Sequence, residues 1–137
     1  MANMTKEVME TFNNPKAAKV LATVDSEGKI HAIPHGSIMA IAPDKIAFAK
    51  IMKGKTWENL EKTKTASVVA FIPSNKPGES VGYQVKGVSA GLQSSGELYE
   101  QYLSKMPPQM KIAGVGVISI EEVYEVTPGP NAGKKLA

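Results

Sequence analysis

Gly54-Lys55-Thr56 carries the residue types of an anion site. It joins an apolar stretch, 45–50, to Trp57-Glu58-Asn59-Leu60, which reads as a turn or two of helix. Where a strand passes through a glycine-containing bend into a helix, the first N–H groups of that helix lack partners, and its dipole adds partial positive charge. Lys53 and Lys55 add full charges, and Thr56 adds a hydroxyl. The chemistry this predicts is capture of a phosphate. The same residues would also make a solvated lysine bend, and the residues alone leave both readings open. The GKT triplet does not complete a triphosphate-binding loop. That loop needs a glycine five positions before Gly54, where this chain has Ala49.

The only histidines are His31 and His35. On an unbroken strand they would share a face about 13 Å apart, at ~3.3 Å per residue, too far for one metal ion. His35 is the better functional candidate because it sits between Pro34 and Gly36, where irregular backbone exposes N–H and C=O groups to a planar ligand. Ser37, Ser89, Ser94 and Ser95 lack the GxSxG elbow of a serine nucleophile. Glu121 and Glu122 are adjacent, so on a strand they face opposite ways. Trp57 and Leu60 have the spacing of a helix face, for which core packing is the simpler role.

Composition limits the partners. The 137 residues suffice for one domain, 1–137, ending in a glycine- and proline-rich tail at 128–137. Apolar content is ordinary at 42%. There is no cysteine, hence no disulfide framework and no thiolate metal site. No apolar run is long enough for a membrane helix, and residues 1–6 lack a secretory leader's apolar block, so the expected location is cytoplasmic. All sixteen basic residues are lysine. Without arginine the chain lacks the planar fork that grips phosphates and guanine edges, which argues against sequence-specific nucleic-acid binding.

The elements that must position these residues follow from pattern. Residues 5–13 predict a short helix capped by Thr5, with Val8, Met9 and Phe12 as its apolar stripe. Strands are predicted at 17–24, at 30–41 with a break near Pro34-His35-Gly36, and at 45–50. Further strands are predicted at 66–72, 81–92 and 114–126, with a helix at 95–105. Six strands joined by hairpin-like turns favour a mainly β, antiparallel barrel with a few short helices.

The ordered set of pieces resembles the FMN-binding split-barrel family related to pyridoxamine 5'-phosphate oxidase, most closely its small FMN-binding and flavoredoxin-like members. The resemblance covers residues 17–126. It is carried by Lys29-Ile30-His31-Ala32-Ile33-Pro34, by 45–50, by Lys55-Thr56-Trp57-Glu58-Asn59-Leu60 and by the glycine-containing strand 83–90. It implies a six-stranded Greek-key split barrel, a homodimer, and FMN at the subunit interface. By position, Lys55 and Thr56 would hold the FMN phosphate. Ala49, Lys50 and Ile51 would line the ribityl chain or ring, and Pro34, His35, Gly36 and Ser37 would contact the ring edge. Gln84 and Lys86 would reach the partner's flavin, and Lys53 is added from its charge. The oxidases proper recognise substrate phosphate with arginine and carry an arginine–histidine pair near the C-terminus. This chain has neither. The resemblance therefore implies an FMN flavoprotein, an oxidoreductase or electron-transfer protein served by a redox partner or NAD(P)H, rather than a pyridoxamine 5'-phosphate oxidase. The alternative is a non-catalytic flavin carrier, or a binder of deazaflavin or haem.

Overall fold

The computed structural model describes residues 1–51 and 54–137. One antiparallel sheet dominates, flanked by three short helices. The strands are β1 (Ala18–Val24), β2 (Ile30–Pro34), β3 (Met39–Ala42), β4 (Lys45–Lys50), β5 (Thr65–Ile72), β6 (Val81–Gln93) and β7 (Gly114–Glu125). The helices are α1 (Lys6–Asn13), α2 (Lys55–Lys62) and α3 (Glu97–Lys105). There are seven strands, not six. The break at Pro34-His35-Gly36 divides the expected 30–41 strand into β2 and β3, because proline cannot donate to a ladder and the chain changes partners there.

That division shapes the sheet. Its order is β2-β1-β5-β6-β7-β4-β3, so two consecutive strands occupy its opposite edges. A flat sheet would separate them by ~29 Å, six spacings of ~4.8 Å. The chain from Pro34 to Met39 spans at most ~18 Å. The sheet must therefore curl until its edges approach at the bend 35–38.

The interior of the curl is apolar. Leu21, Ile46, Phe48, Val68, Val85, Ile118 and Ile120 pack there, and α1 adds Val8 and Phe12. Full burial of each such side chain stabilises the fold by roughly 1.5–3 kcal/mol. Thr5 caps α1 as expected, accepting from the Val8 N–H at 3.3 Å. A second cluster lies under α3, where Ala47, Ala49 and Val115 leave room for Tyr102 and Ile112. α3 is capped by Gly96, whose φ of 96° lies in the left-handed region that glycine tolerates.

Strand β7 runs between β6 and β4 and is largely buried. The tail folds back along β7. Gly133 and Lys134 bond Glu125, and Leu136 and Ala137 bond Val123, giving the end of β7 an extra partner on its open side. Among the described residues no helix is long and apolar enough to cross a membrane.

Candidate functional site

A cleft of about 820 Å³ opens where the bend 35–38, the end of β4 and the start of α2 meet. It brings together nine predicted residues: Pro34, His35, Gly36, Ser37, Ala49, Lys50, Ile51, Lys55 and Thr56. Lys53 lies outside the described residues. Ligand pockets commonly have this size and a mostly apolar lining with few convergent polar groups.

One end of the cleft is the bend, held from four directions. The His35 N–H donates to the Lys19 carbonyl at 2.9 Å. The Lys19 ammonium donates to the carbonyls of Ile38 (2.8 Å) and Phe12 (3.3 Å). Burial lowers the pKa of this lysine. The Ala49 N–H donates to Ser37 Oγ at 2.9 Å, continuing the β3–β4 ladder past its Met39–Ala47 pair. The Tyr102 hydroxyl donates to the Ser37 carbonyl at 2.9 Å, and burial raises the phenol's pKa so that it stays a donor. Ser37 Oγ also lies 2.9 Å from His35 Nδ1. The His35 ring meets Phe48 edge to face at 5.4 Å, and burial lowers its pKa, favouring neutral imidazole.

The other end is the first turn of α2. Asn59 donates to Thr23 Oγ1 at 3.0 Å and Thr63 to the Val24 carbonyl at 2.8 Å, which ties the far end of α2 to β1 and aims its N-terminus at the cleft. Gly54 caps the helix without a side-chain bond, leaving its first N–H groups without intrahelical partners. The Thr56 side chain is buried, and its Oγ1 has no partner among the described residues. A buried hydroxyl left unpaired costs about 1–3 kcal/mol. An anion's oxygen at this turn would give it a partner.

The lysines at this end are engaged elsewhere. Lys55 Nζ stands 3.8 Å from Asp25 Oδ2 and 3.9 Å from Glu58 Oε1. N–H groups of Lys29 and Glu27, with the Lys55 charge, hold the Asp25 carboxyl below its usual range despite partial desolvation. Lys50 Nζ sits 4.8 Å from the centroid of the Trp57 ring, within cation–π range. Trp57 in turn stacks 6.3 Å from Phe48.

Gln84 and Lys86 do not line this cleft. Gln84 donates to Ser67 Oγ at 2.8 Å, and Lys86 lies over the Tyr124 ring at 4.9 Å. Register places them on one outer face of the sheet, in rows that begin on β2: Pro34, Val20, Val69, Gln84, then Ala32, Ala22, Ser67, Lys86.

Sequence reasoning missed His31, Phe48 and Trp57 as lining residues, together with Met106, Pro107 and Met110 beyond α3. Trp57 has the helix-face signature of a core residue, and Leu60, its partner in that pattern, is core. Met106-Pro107 carries only the signal of a helix stop. Its place against the cleft depends on how α3 packs.

A family profile described as pyridoxamine 5'-phosphate oxidase matches residues 4–127. The chain belongs to this family. An uncharacterized protein of Methanocaldococcus jannaschii is 26% identical over 141 aligned residues, covering 100% of this chain and 90% of that one. Among solved structures, HupZ of Group A Streptococcus superposes with a TM-score of 0.76 at 24% identity, over 95% of this chain and 99% of that one. An FMN-binding protein of Syntrophomonas wolfei also gives 0.76, at 18% identity, over 91% and 90%. These superpositions extend the pyridoxamine 5'-phosphate oxidase family's fold over nearly the whole chain.

Proposed function

We propose that this protein binds FMN in the cleft and works as a flavoprotein, an oxidoreductase or an electron-transfer protein. The observation that carries the reading is Thr56 Oγ1, buried at the start of α2 beside Lys55 and without a partner among the described residues. A phosphate there would accept from Thr56, from the first N–H groups of α2, and from Lys55 once it leaves its carboxylates. The FMN-binding relative from Syntrophomonas wolfei and the curled sheet, taken as a split Greek-key barrel open at the bend 35–38, support the same reading.

In this reading the bend 34–37 meets the ring edge, Ala49, Lys50 and Ile51 flank the ring or ribityl chain, and Lys55 and Thr56 hold the phosphate. Bound FMN supplies hydride or electron transfer. The residues of the chain orient the ring, shield it with Phe48, Trp57 and the 106–110 segment, and offer donors to its carbonyl edge. The absence of arginine leaves no fork for a phosphorylated substrate, which argues against oxidation of pyridoxamine 5'-phosphate. We further propose a homodimer in which a second copy covers the outer face bearing Gln84 and Lys86.

The test is a titration of the purified protein with FMN and with riboflavin. Flavin absorbance that stays with the protein, together with a Lys55→Ala loss larger for FMN than for riboflavin, is the expected result. A colourless protein that takes up no FMN overturns the proposal. Equal losses for the two ligands would move the phosphate away from Lys55.

A further inference from the structure

The hydroxyl of Ser37 has one proton and two close partners. The Ala49 N–H can only donate, and it donates to Oγ at 2.9 Å. The second partner, His35 Nδ1, lies 2.9 Å away. Were Nδ1 protonated, two donors would point at Oγ, and the serine proton would have no acceptor among the described residues. With Nδ1 bare, the serine proton bonds to it, and the ring's own proton resides on Nε2. Among the described residues nothing pairs with Nε2, and the ring forms part of the cleft wall.

We infer that Ser37 is a positioning residue that holds His35 in the Nε2–H form, making His35 a fixed neutral donor to an acceptor edge of the ligand in the cleft. The backbone is set for this task. Tyr102 grips the Ser37 carbonyl, the Lys19 carbonyl grips the His35 N–H, and Phe48 fixes the ring plane. The ligand group facing His35 is then a carbonyl or an imine-type nitrogen, not an N–H or an ammonium. If the ligand is FMN, which rests on the proposal above, this donor faces the ring edge that gains negative charge on reduction. His35 then favours the reduced over the oxidised cofactor.

Nitrogen-15 NMR of the apo protein at neutral pH reads the tautomer without any cofactor. The expected result is a bare Nδ1 and a protonated Nε2 in the native protein, a mixed or inverted tautomer in Ser37→Ala, and recovery in Ser37→Thr. A protonated Nδ1 in the native protein overturns the inference, as does a Ser37→Ala variant with an unchanged tautomer. If Ser37→Ala does not fold, the native protein and Ser37→Thr still decide. With FMN bound, His35→Phe should lower the ratio of reduced to oxidised affinity about tenfold, a fall of roughly 30 mV for a two-electron couple. An unchanged potential overturns the ligand-facing half of the inference. The expected tautomer in a protein that takes up no FMN upholds the role of Ser37 and overturns the flavin reading instead.

Discussion

The two ends of the cleft are built on opposite principles. At the bend 35–38 the Ser37 hydroxyl and carbonyl and the His35 N–H are bonded within the protein, and they hold the His35 ring with Nε2 left for a ligand. Ser37 alone makes three hydrogen bonds, to Ala49, His35 and Tyr102. At the start of α2 a buried threonine hydroxyl has no partner among the described residues, and Lys55 makes long contacts to Asp25 and Glu58. An end braced by its own hydrogen bonds has one stable geometry and can position a planar group. An under-paired end stores free energy that a ligand releases on arrival. The molecule is thus rigid where orientation matters and unsatisfied where affinity must come from.

Substitutions can break or sharpen this contrast. The largest effect is expected at Gly116 on β7, which seats Phe48 beneath His35. A Cβ there would stand 2.5 Å from Phe48 Cζ. Gly116→Ala should cost about 1–3 kcal/mol through overpacking. It should also weaken flavin binding by tilting Phe48 and His35, as thermal unfolding and titration would reveal. An unchanged melting temperature would mean that the packed end is softer than its contacts imply.

Thr56→Val tests the other end with opposite signs. Removing the orphan hydroxyl while keeping its shape should stabilise the apo protein by about 1 kcal/mol. The same change should weaken FMN without weakening riboflavin. Loss of apo stability instead would show that Thr56 Oγ1 already has a satisfactory partner, and the contrast between the two ends would collapse.

The smallest effect is in pH. Burial lowers the His35 pKa below its usual 6.5. Between pH 6.5 and that lower value the unfolded chain binds a proton that the native ring does not, so stability falls as pH drops through this window and is full above it. Denaturation midpoints across that range should show the decline, and His35→Gln should flatten it. An equally steep decline in the variant would assign it to other groups.

Much of this was legible in pattern. Thr5 capping α1, the apolar run of β5 and the basic bend leading into α2 are local features, set by hydrogen-bonding chemistry and periodicity within a few residues. Nine of the residues that the resemblance assigned by position come together in one cleft. The seventh strand did not follow, because whether a broken strand keeps its partner or moves to the far edge depends on distant β4 and β7. Gln84 and Lys86, expected at the partner's flavin rather than in this cleft, lie on the outer face, where the register of β5 and β6 puts them.

The sequence by itself determined which groups exist: sixteen lysines and no arginine, two histidines, no thiol, and a Gly-Lys-Thr turn at a helix start. It thereby settled that any anion here is held by ammonium groups, hydroxyls and backbone N–H groups. Only the tertiary structure decided which of these are free. Pairing is a property of distance: beside near neighbours, Ser37 is held by Ala49 and Tyr102, 12 and 65 positions away, Lys55 by Asp25, 30 away, and Lys50 by Trp57, 7 away. That Thr56 Oγ1, among the described residues, is left buried without a partner is legible only once the sheet has curled.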